Sequence, residues 1–371
     1  MLKRLYIDNF RCFVNFEYKP ERKQLLLGAN GSGKSSLLDA IRALKTFIGS
    51  RGNEFENQKE FMLSRTRWLH LPSQVFEIEL EIAGARYVYR LENDVSNPDW
   101  PASSVAAESL KVDGTPIFEV ANGKAALYTE GNPKPTATIG MSNSGSALAL
   151  LSANRKEAGL FTEWIAKQLF CLRINPDSMH SSGRFDGQRH PVSDVSDLAS
   201  WYLQIASTDI DGVVSLRESL QGALEGFTSL QLNGLDNGVG ELRGNFNCSG
   251  KAVPLALSEL SEGQRCLIAL CMIQRFLIGK GSTVFLDEPD NFISLREIQP
   301  WLLQAEAAVD DSKGQLILIS HHPEILNQWA QEYGLRFFRE ENGHVRTEKF
   351  RPDPDGFLRP SELIARGWEN E

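Results

Sequence analysis

Residues 25–44 read LLLGANGSGKSSLLDAIRAL, and the spacing of the glycines leaves few folds open. Gly28 and Gly33 bracket four residues and lead into Lys34 and Ser35, a G-x-x-x-x-G-K-S pattern. Leu25, Leu26 and Leu27 form the apolar run of a buried strand, while Leu37, Leu38, Ile41 and Leu44 recur at helical spacing. A strand, a glycine loop and a helix in that order are the context of a phosphate-binding P-loop. Glycine lets the backbone N–H groups of Gly28, Ala29, Asn30, Gly31, Ser32 and Gly33 turn inward at the positive end of the helix, where Lys34, Ser35 and Ser36 follow. The pattern predicts bound nucleotide phosphates, with Lys34 on the β- and γ-phosphates and the Ser35 hydroxyl on Mg²⁺.

The remaining composition is that of a globular chain. Of 371 residues, 42% are hydrophobic and 23% charged, and no apolar run approaches the ~20 residues that span a bilayer. The start, MLKRLYIDNF, has neither a long apolar core nor a small-residue cleavage site, which predicts a cytoplasmic protein without a membrane partner. Five cysteines without a C-x-x-C pair argue against zinc and disulfide frameworks. A net charge of −9 argues against a surface coated for nucleic acid. Near the N-terminus, however, Lys3, Arg4, Arg11, Lys19, Arg22 and Lys23 outnumber Asp8, Glu17 and Glu21. That excess reads as a solvated hairpin face, with a phosphate-facing patch as the alternative.

Residues 1–27 alternate as two strands would, with Lys19-Pro20-Glu21-Arg22 as the turn between them. Residues 49–75 are polar and irregular and carry a cluster of Arg65, Arg67, Trp68 and His70. Residues 76–92, FEIELEIAGARYVYRLE, alternate strictly around Ala83-Gly84 and predict an antiparallel hairpin with one wet face. Strand-like pieces continue to about Leu127, residues 129–146 read as loop, and helical patterns fall near 158–169, 193–207 and 212–225. From about Leu255 the chain changes character. LSELSEGQRCLIALCMIQRFLIG predicts a helix capped by Ser261. Residues 283–286 read as a buried strand ending in Asp287-Glu288, and 315–319 as another ending in Ser320-His321-His322. Such strands, separated by helices, predict a mostly parallel sheet with its ligand at the strands' carboxyl ends.

Two further motifs carry chemistry. In TVFLDEPD, residues 283–290, Asp287 is placed to hold the Mg²⁺ shell and Glu288 to polarise an attacking water. In LSEGQ, residues 260–264, the Ser261 hydroxyl and the Gly263 N–H offer a γ-phosphate two donors at a helix start. The plain reading of the same residues is an N-cap box. With these motifs in place, the sequence resembles ABC-type ATPases of the RecF/SMC-like (OLD-like) group. GANGSGKS, LSEGQ, LDEPD and ISHH occur in that family's order, as its Walker A, signature, Walker B and switch-histidine elements. LYIDNFRCFVNFE resembles its N-terminal strand motif. The resemblance is strong over about 1–48 and 255–325 and looser between them.

The resemblance implies an α/β fold of the P-loop NTPase type: an ABC ATPase head with a mostly parallel sheet, an antiparallel β subdomain and a helical lobe. Residues 1–371 would form one composite head. Its parts would be an N-terminal lobe (1–128), a helical or irregular insert (129–254), a half with signature, Walker B and switch histidine (255–330), and a C-terminal strand and tail (331–371). It further implies a head-to-tail homodimer holding two ATP molecules with Mg²⁺. Each site would pair residues 28–36, Asp287 and Glu288 of one chain with Ser261, Gly263 and Gln264 of the other. Arg11 of the NFR motif joins the nucleotide-binding set, and His321 matches the switch histidine on the γ-phosphate, with His322 the second candidate. Asp290-Asn291-Phe292-Ile293-Ser294 departs from the usual D-loop, and Asn175 and Gln188 are the candidates for a Q-loop residue. MHSSGRFDGQRH, residues 179–190, has two histidines and an aspartate at no recognised ligand spacing and reads as an exposed loop. Neither a long coiled coil nor a TOPRIM nuclease pattern is found.

ATP hydrolysis, with Lys34, Glu288 and His321 as the catalytic set, is the chemistry for which the parts are complete. Association by family points to control of a separately encoded effector, a nuclease or toxin, in bacterial anti-phage defence. The alternative is a RecF-like ATP-dependent DNA-binding repair protein, favoured by the basic N-terminal segment and disfavoured by the overall charge. The NFR strand, the long Walker A-to-signature separation and the SHHP switch weigh against a transporter subunit, and a nucleotide-gated scaffold, in which ATP merely locks the dimer, is a further reading that Glu288→Gln discriminates. The tail, FRPDPDGFLRPSELIARGWENE, predicts a short helix from Pro360 to Gly367 with Trp368 beyond it. That element either folds back on the core or docks the effector.

Overall fold

The computed structural model describes residues 1–371 except 50–53, 98–101, 130, 186, 188–189, 354 and 368–371. The chain forms two units, each assembled from separate segments. One comprises Met1–Glu21, Leu27–Leu169 and Leu335–Lys349, the other Arg22–Leu26, Phe170–Gly334 and Phe350–Glu371.

The first unit opens with a correction to the expected two-strand pattern. Three strands occupy residues 1–27: β1 (Leu2–Asp8), β2 (Phe16–Tyr18) and β3 (Lys23–Leu27). Asn9, Arg11 and Asn15 take left-handed backbone, with φ of 59°, 50° and 47°, and turn β1 onto β2. Asparagine tolerates that conformation better than most residues. The fold-back therefore precedes Lys19-Pro20, and residues 19–22 instead link β2 to β3, which joins another sheet. The antiparallel sheet of the first unit continues through β4 (Ser73–Ile82), β5 (Ala85–Asp94), β6 (Ser104–Val112), β7 (Thr115–Ala121), β8 (Lys124–Leu127) and β9 (Ala137–Gly140). Its order is β2-β1-β4-β5-β6-β7-β8-β9. Ile82 pairs with Ala85 across Ala83 and Gly84, both at positive φ, the hairpin turn that the sequence predicts. Strand β9 falls where loop is expected. All its residues are exposed, so it has no apolar alternation to reveal it, and only its pairing with β8 makes it a strand. Helices α1 (Lys34–Gly49), α2 (Glu54–Leu63), α3 (Leu148–Leu151) and α4 (Lys156–Gln168) complete this part, α1 burying Leu37, Leu38, Ile41 and Leu44 as their spacing requires.

Inside this unit Glu108 is buried and accepts from Tyr89 Oη at 2.8 Å, Ser146 Oγ at 2.5 Å and the Ala147 N–H at 2.7 Å. Burial pushes its carboxyl above the ordinary range, against the pull of those donors. A raised folded-state value means that its contribution to stability is complete below the ordinary 4.5 and is lost as pH rises through the raised value. Glu108→Gln stays neutral and brings an amide N–H against buried donors, so we expect a loss of about 1–3 kcal/mol at acid pH. The gap to wild type should narrow toward neutral pH. Thermal melts at acid and neutral pH check this, and a gap independent of pH would refute it.

The second unit is built on β3 together with β10 (Leu169–Leu172), β15 (Thr283–Asp287) and β16 (Gln315–Ile319), in the order β10-β15-β16-β3. Strands β15, β16 and β3 run parallel, with Asp287 level with Ile319 and Ile319 level with Leu26, so their carboxyl ends form one edge. A second, antiparallel sheet contains β11 (Ser182–Arg184), β12 (Phe227–Asp236), β13 (Val239–Cys248) and β14 (Lys251–Ala256). The sequence reading expects helix or irregular chain through most of this region. The many glycines and asparagines of these strands weaken their alternation. Helices α5 (Leu198–Ala206), α6 (Ile210–Ala223), α7 (Glu262–Phe276), α8 (Leu295–Asp311) and α9 (Pro323–Tyr333) surround these sheets. The tail forms α10 (Pro360–Arg366), ended by Gly367 at φ 71°, with Leu363 buried and the Ser361 N–H on Asn327 Oδ1 of α9 at 3.1 Å. It folds back onto its own unit; Trp368 lies outside the described residues. Strands β17 (Gly334–Arg339) and β18 (Val345–Lys349) return to the first unit as a hairpin, setting Phe337 5.9 Å from Phe16 and 6.4 Å from Tyr18. Among the described residues no helix is long and apolar enough to cross a membrane.

Candidate nucleotide-binding site

The glycine loop lies in the first unit. Gly28, Gly31 and Gly33 have φ of +134°, +78° and +111°, a region that L side chains avoid. At Gly28 a Cβ would stand 2.2 Å from the Phe337 carbonyl oxygen; at Gly33 it would stand 3.0 Å from Val345 and 3.2 Å from the Cys12 sulfur. The packing at Gly28 and Gly33 thus leaves no room for a side chain at either position. Within the loop the Ser32 N–H donates to the Ala29 carbonyl at 3.1 Å, and buried Lys34 donates Nζ to the carbonyls of Gly28 and Ala29 at 2.5 and 3.2 Å. The Ser32 hydroxyl is buried without a hydrogen-bond partner among the described residues. An orphaned hydroxyl and an ammonium folded into a glycine cradle are the donor set that phosphate oxygens satisfy. Asn30 and Ser35 are exposed and Ser36 half-buried. Arg11 pairs with Asp39 of α1 and lies over the Phe10 ring at 5.7 Å. Arg339 also reaches the loop, its Nε donating to the Gly31 carbonyl at 2.8 Å. No motif in the sequence announces Arg339, because strand packing alone brings it there.

In the second unit the parallel strand ends carry the other candidates. Asp287 closes β15 and is buried. Glu288 leaves the strand at φ 49°, with its N–H on the Ile319 carbonyl at 2.8 Å. Positive φ is uncommon for glutamate, and holding it costs on the order of 1–3 kcal/mol. Glu288 Oε2 accepts from Arg173 Nη2 and from Asn291 Nδ2, each at 3.1 Å. Arg173 is a further contact that the sequence reading misses. Burial pushes the Asp290 carboxyl up, while the Ser320 hydroxyl and His322 pull it down.

Ser261 caps α7: its Oγ accepts from the Gln264 N–H at 3.2 Å, while Gln264 Oε1 accepts from the Ser261 N–H at 3.0 Å. The capping reading and the phosphate reading are compatible, since a hydroxyl that accepts can still donate its proton. A Cβ at Gly263 would lie 2.7 Å from the Phe292 carbonyl oxygen, so the first turn of α7 rests on the loop after β15. The two histidines separate. His322 caps α9, its Nδ1 accepting from the Glu324 N–H at 3.3 Å, while His321 is exposed at the end of β16. Asn175 begins a short turn, its Oδ1 accepting from the Asp177 N–H at 3.2 Å; Gln188 lies outside the described residues. Among the described residues no group of three His, Cys, Asp or Glu side chains is placed to hold a metal ion. Mg²⁺ on a nucleotide needs no such cage, because phosphates and waters complete its shell.

Residues 1–122 match the family model described as "AAA ATPase domain", and residues 218–327 match the one described as "AAA domain, putative AbiEii toxin, Type IV TA system". No curated protein matches the sequence. Among solved structures the chain is similar to an SMC head bound to the C-winged helix domain of ScpA, with a TM-score of 0.56 at 14% identity, covering 94% of this chain and 97% of that one. It is also similar to an Smc head domain with an extended coiled coil bound to the C-terminal domain of ScpA, derived from Pyrococcus furiosus. That match has a TM-score of 0.50 at 12% identity and covers 100% of this chain and 99% of the other. At such identities the likeness is one of fold. Fold and motifs define a P-loop ATPase head. The two ATPase-domain matches, each over less than half of the chain, agree with the resemblance of its motifs to ABC-type ATPases of the RecF/SMC-like group.

Proposed function

We propose that this chain binds Mg·ATP, hydrolyses it as a homodimer, and uses the cycle to control a separate effector protein. The observation that carries the reading is the register of β3, β16 and β15. Their ends are level at Leu26, Ile319 and Asp287 within the second unit, so the segments leading to His321 and Glu288 leave the sheet at one edge, and β3 runs on along the chain into the glycine loop. In this reading Lys34 and the loop N–H groups, from Gly28 to Gly33, neutralise the phosphates, with Arg11 beside them. Ser35 and Asp287 hold Mg²⁺, which supplies positive charge to the phosphoryl oxygens when bound. Glu288 orients the attacking water and takes its proton, and His321 contacts the γ-phosphate. Ser261, Gly263 and Gln264 of the second chain close the site.

Control of an effector is supported by the fold, since heads of this kind are seen with a bound partner domain. A defence role is supported by the match to a model whose description names a toxin–antitoxin system. The basic N-terminal residues weigh against DNA repair. Lys3 pairs with Glu81, Arg4 with Glu17 and Glu77, Lys19 with Glu17, and Lys23 with Glu306 and Asp310, while Arg22 donates to backbone carbonyls. Little charge is left over for a phosphate backbone.

The direct test is equilibrium binding of ATP to wild type and Lys34→Ala. Losing a charge-assisted contact of roughly 1.5–3 kcal/mol should weaken binding by about 10- to 100-fold. Unchanged affinity would reject the phosphate site.

A further inference from the structure

We infer that Arg173 is a positioning residue that orients the Glu288 carboxylate and couples it to the signature helix α7; this rests on the ATPase reading above. Arg173 directly follows β10, the neighbour of β15 in the sheet, and its Nη2 meets Glu288 Oε2 at 3.1 Å. The pair is 60% and 33% exposed, and an exposed ion pair adds little to fold stability. Its value lies in orientation. Asn291 Nδ2 meets the same oxygen at the same distance, so both donors fall on Oε2 and Oε1 is the oxygen left to a water proton. A residue at positive φ, held from two sides by side chains of different loops, has little rotational freedom.

The other end of the Arg173 loop is gripped by α7. Arg173 and Asn175 donate their N–H groups to the carbonyls of Ser193 and Asp194 at 2.8 and 3.0 Å, which fixes the loop's path. Arg265, on α7 and largely buried, donates Nη1 to the Pro176 carbonyl and sets Nη2 3.7 Å from Asp177. Only Ile174 and Asn175 therefore lie between the residue that meets Glu288 and the first that meets α7. A shift of α7, the helix that carries Ser261 and Gly263, is transmitted along this loop to the water-polarising carboxylate. The planar guanidinium of Arg173 suits its fixed contact with Glu288 better than an ammonium would.

Full-length Arg173→Ala and Arg173→Lys, each with and without Glu288→Gln, test this. Arg173→Ala should lower kcat about tenfold or more while ATP affinity, measured by titration with a fluorescent ATP analogue, and melting temperature stay within error of wild type. Arg173→Lys should recover part of the rate. In the Glu288→Gln background Arg173→Ala should add no further loss of turnover. Wild-type kcat in Arg173→Ala would overturn the inference and leave the pair an incidental surface contact. Weakened ATP affinity, with a further loss beyond Glu288→Gln, would overturn it in favour of Arg173 as a phosphate ligand. A wild-type chain without turnover would instead overturn the ATPase reading, and a fully active Glu288→Gln the catalytic role of Glu288; either result takes this inference with it.

Discussion

Glu288→Gln is expected to lower turnover by about 10²- to 10⁴-fold, the range a positioned general base contributes, while leaving ATP affinity unchanged. Glutamine retains the shape of the side chain and an oxygen for Arg173 and Asn291, which approach Glu288 at 3.1 Å. What it lacks is the negative charge that draws a proton from water. The glycine loop belongs to the other unit and keeps its donors, so binding persists. With hydrolysis blocked and ATP bound, the dimer should accumulate and elute as such in size-exclusion chromatography with Mg·ATP. Hydrolysis near the wild-type rate would remove Glu288 from the catalytic role.

The second large effect is complementation. In the proposed head-to-tail dimer Lys34→Ala should disable the phosphate cradle and Ser261→Arg the signature, so that each homodimer would have both sites broken. In a head-to-tail heterodimer the two defects fall on the same site and the other site is whole. Random pairing with independent sites should then restore about a quarter of wild-type specific activity, from two proteins inactive alone. Nucleotide occupancy of the isolated heterodimer checks whether one site fills. Heterodimers that form but neither bind at the intact site nor turn over would argue against shared sites.

Much of the site was legible because its chemistry is local in the chain. The glycine spacing of GANGSGKS reports backbone torsions that glycine adopts far more readily than other residues, and the structure has positive φ at Gly28, Gly31 and Gly33. Strands β15 and β16 are buried throughout, so each reads as a short apolar run, closed by Asp287 in β15 and followed by Ser320 after β16. The cap of α7 by Ser261 and Gln264 spans three residues and is likewise written locally.

Tertiary structure decided the rest. Exposed β9, and glycine- and asparagine-rich β12 and β13, have too little alternation to be seen before their partners are in place. The same holds for the turn after β1, where Asn9 and Asn15 outweigh the more obvious Lys19-Pro20. Within ISHH, sequence ranks His321 and His322 only by resemblance; the packing of α9 assigns the capping bond to His322 and leaves His321 exposed. Arg173 meets Glu288 across 115 residues, and Arg339 meets Gly31 across 308. Local sequence sets torsions and the period of burial, and from these come loop, strand and helix. Which side chains then share a strand end depends on sheet order and register, and those arise only when distant strands pair.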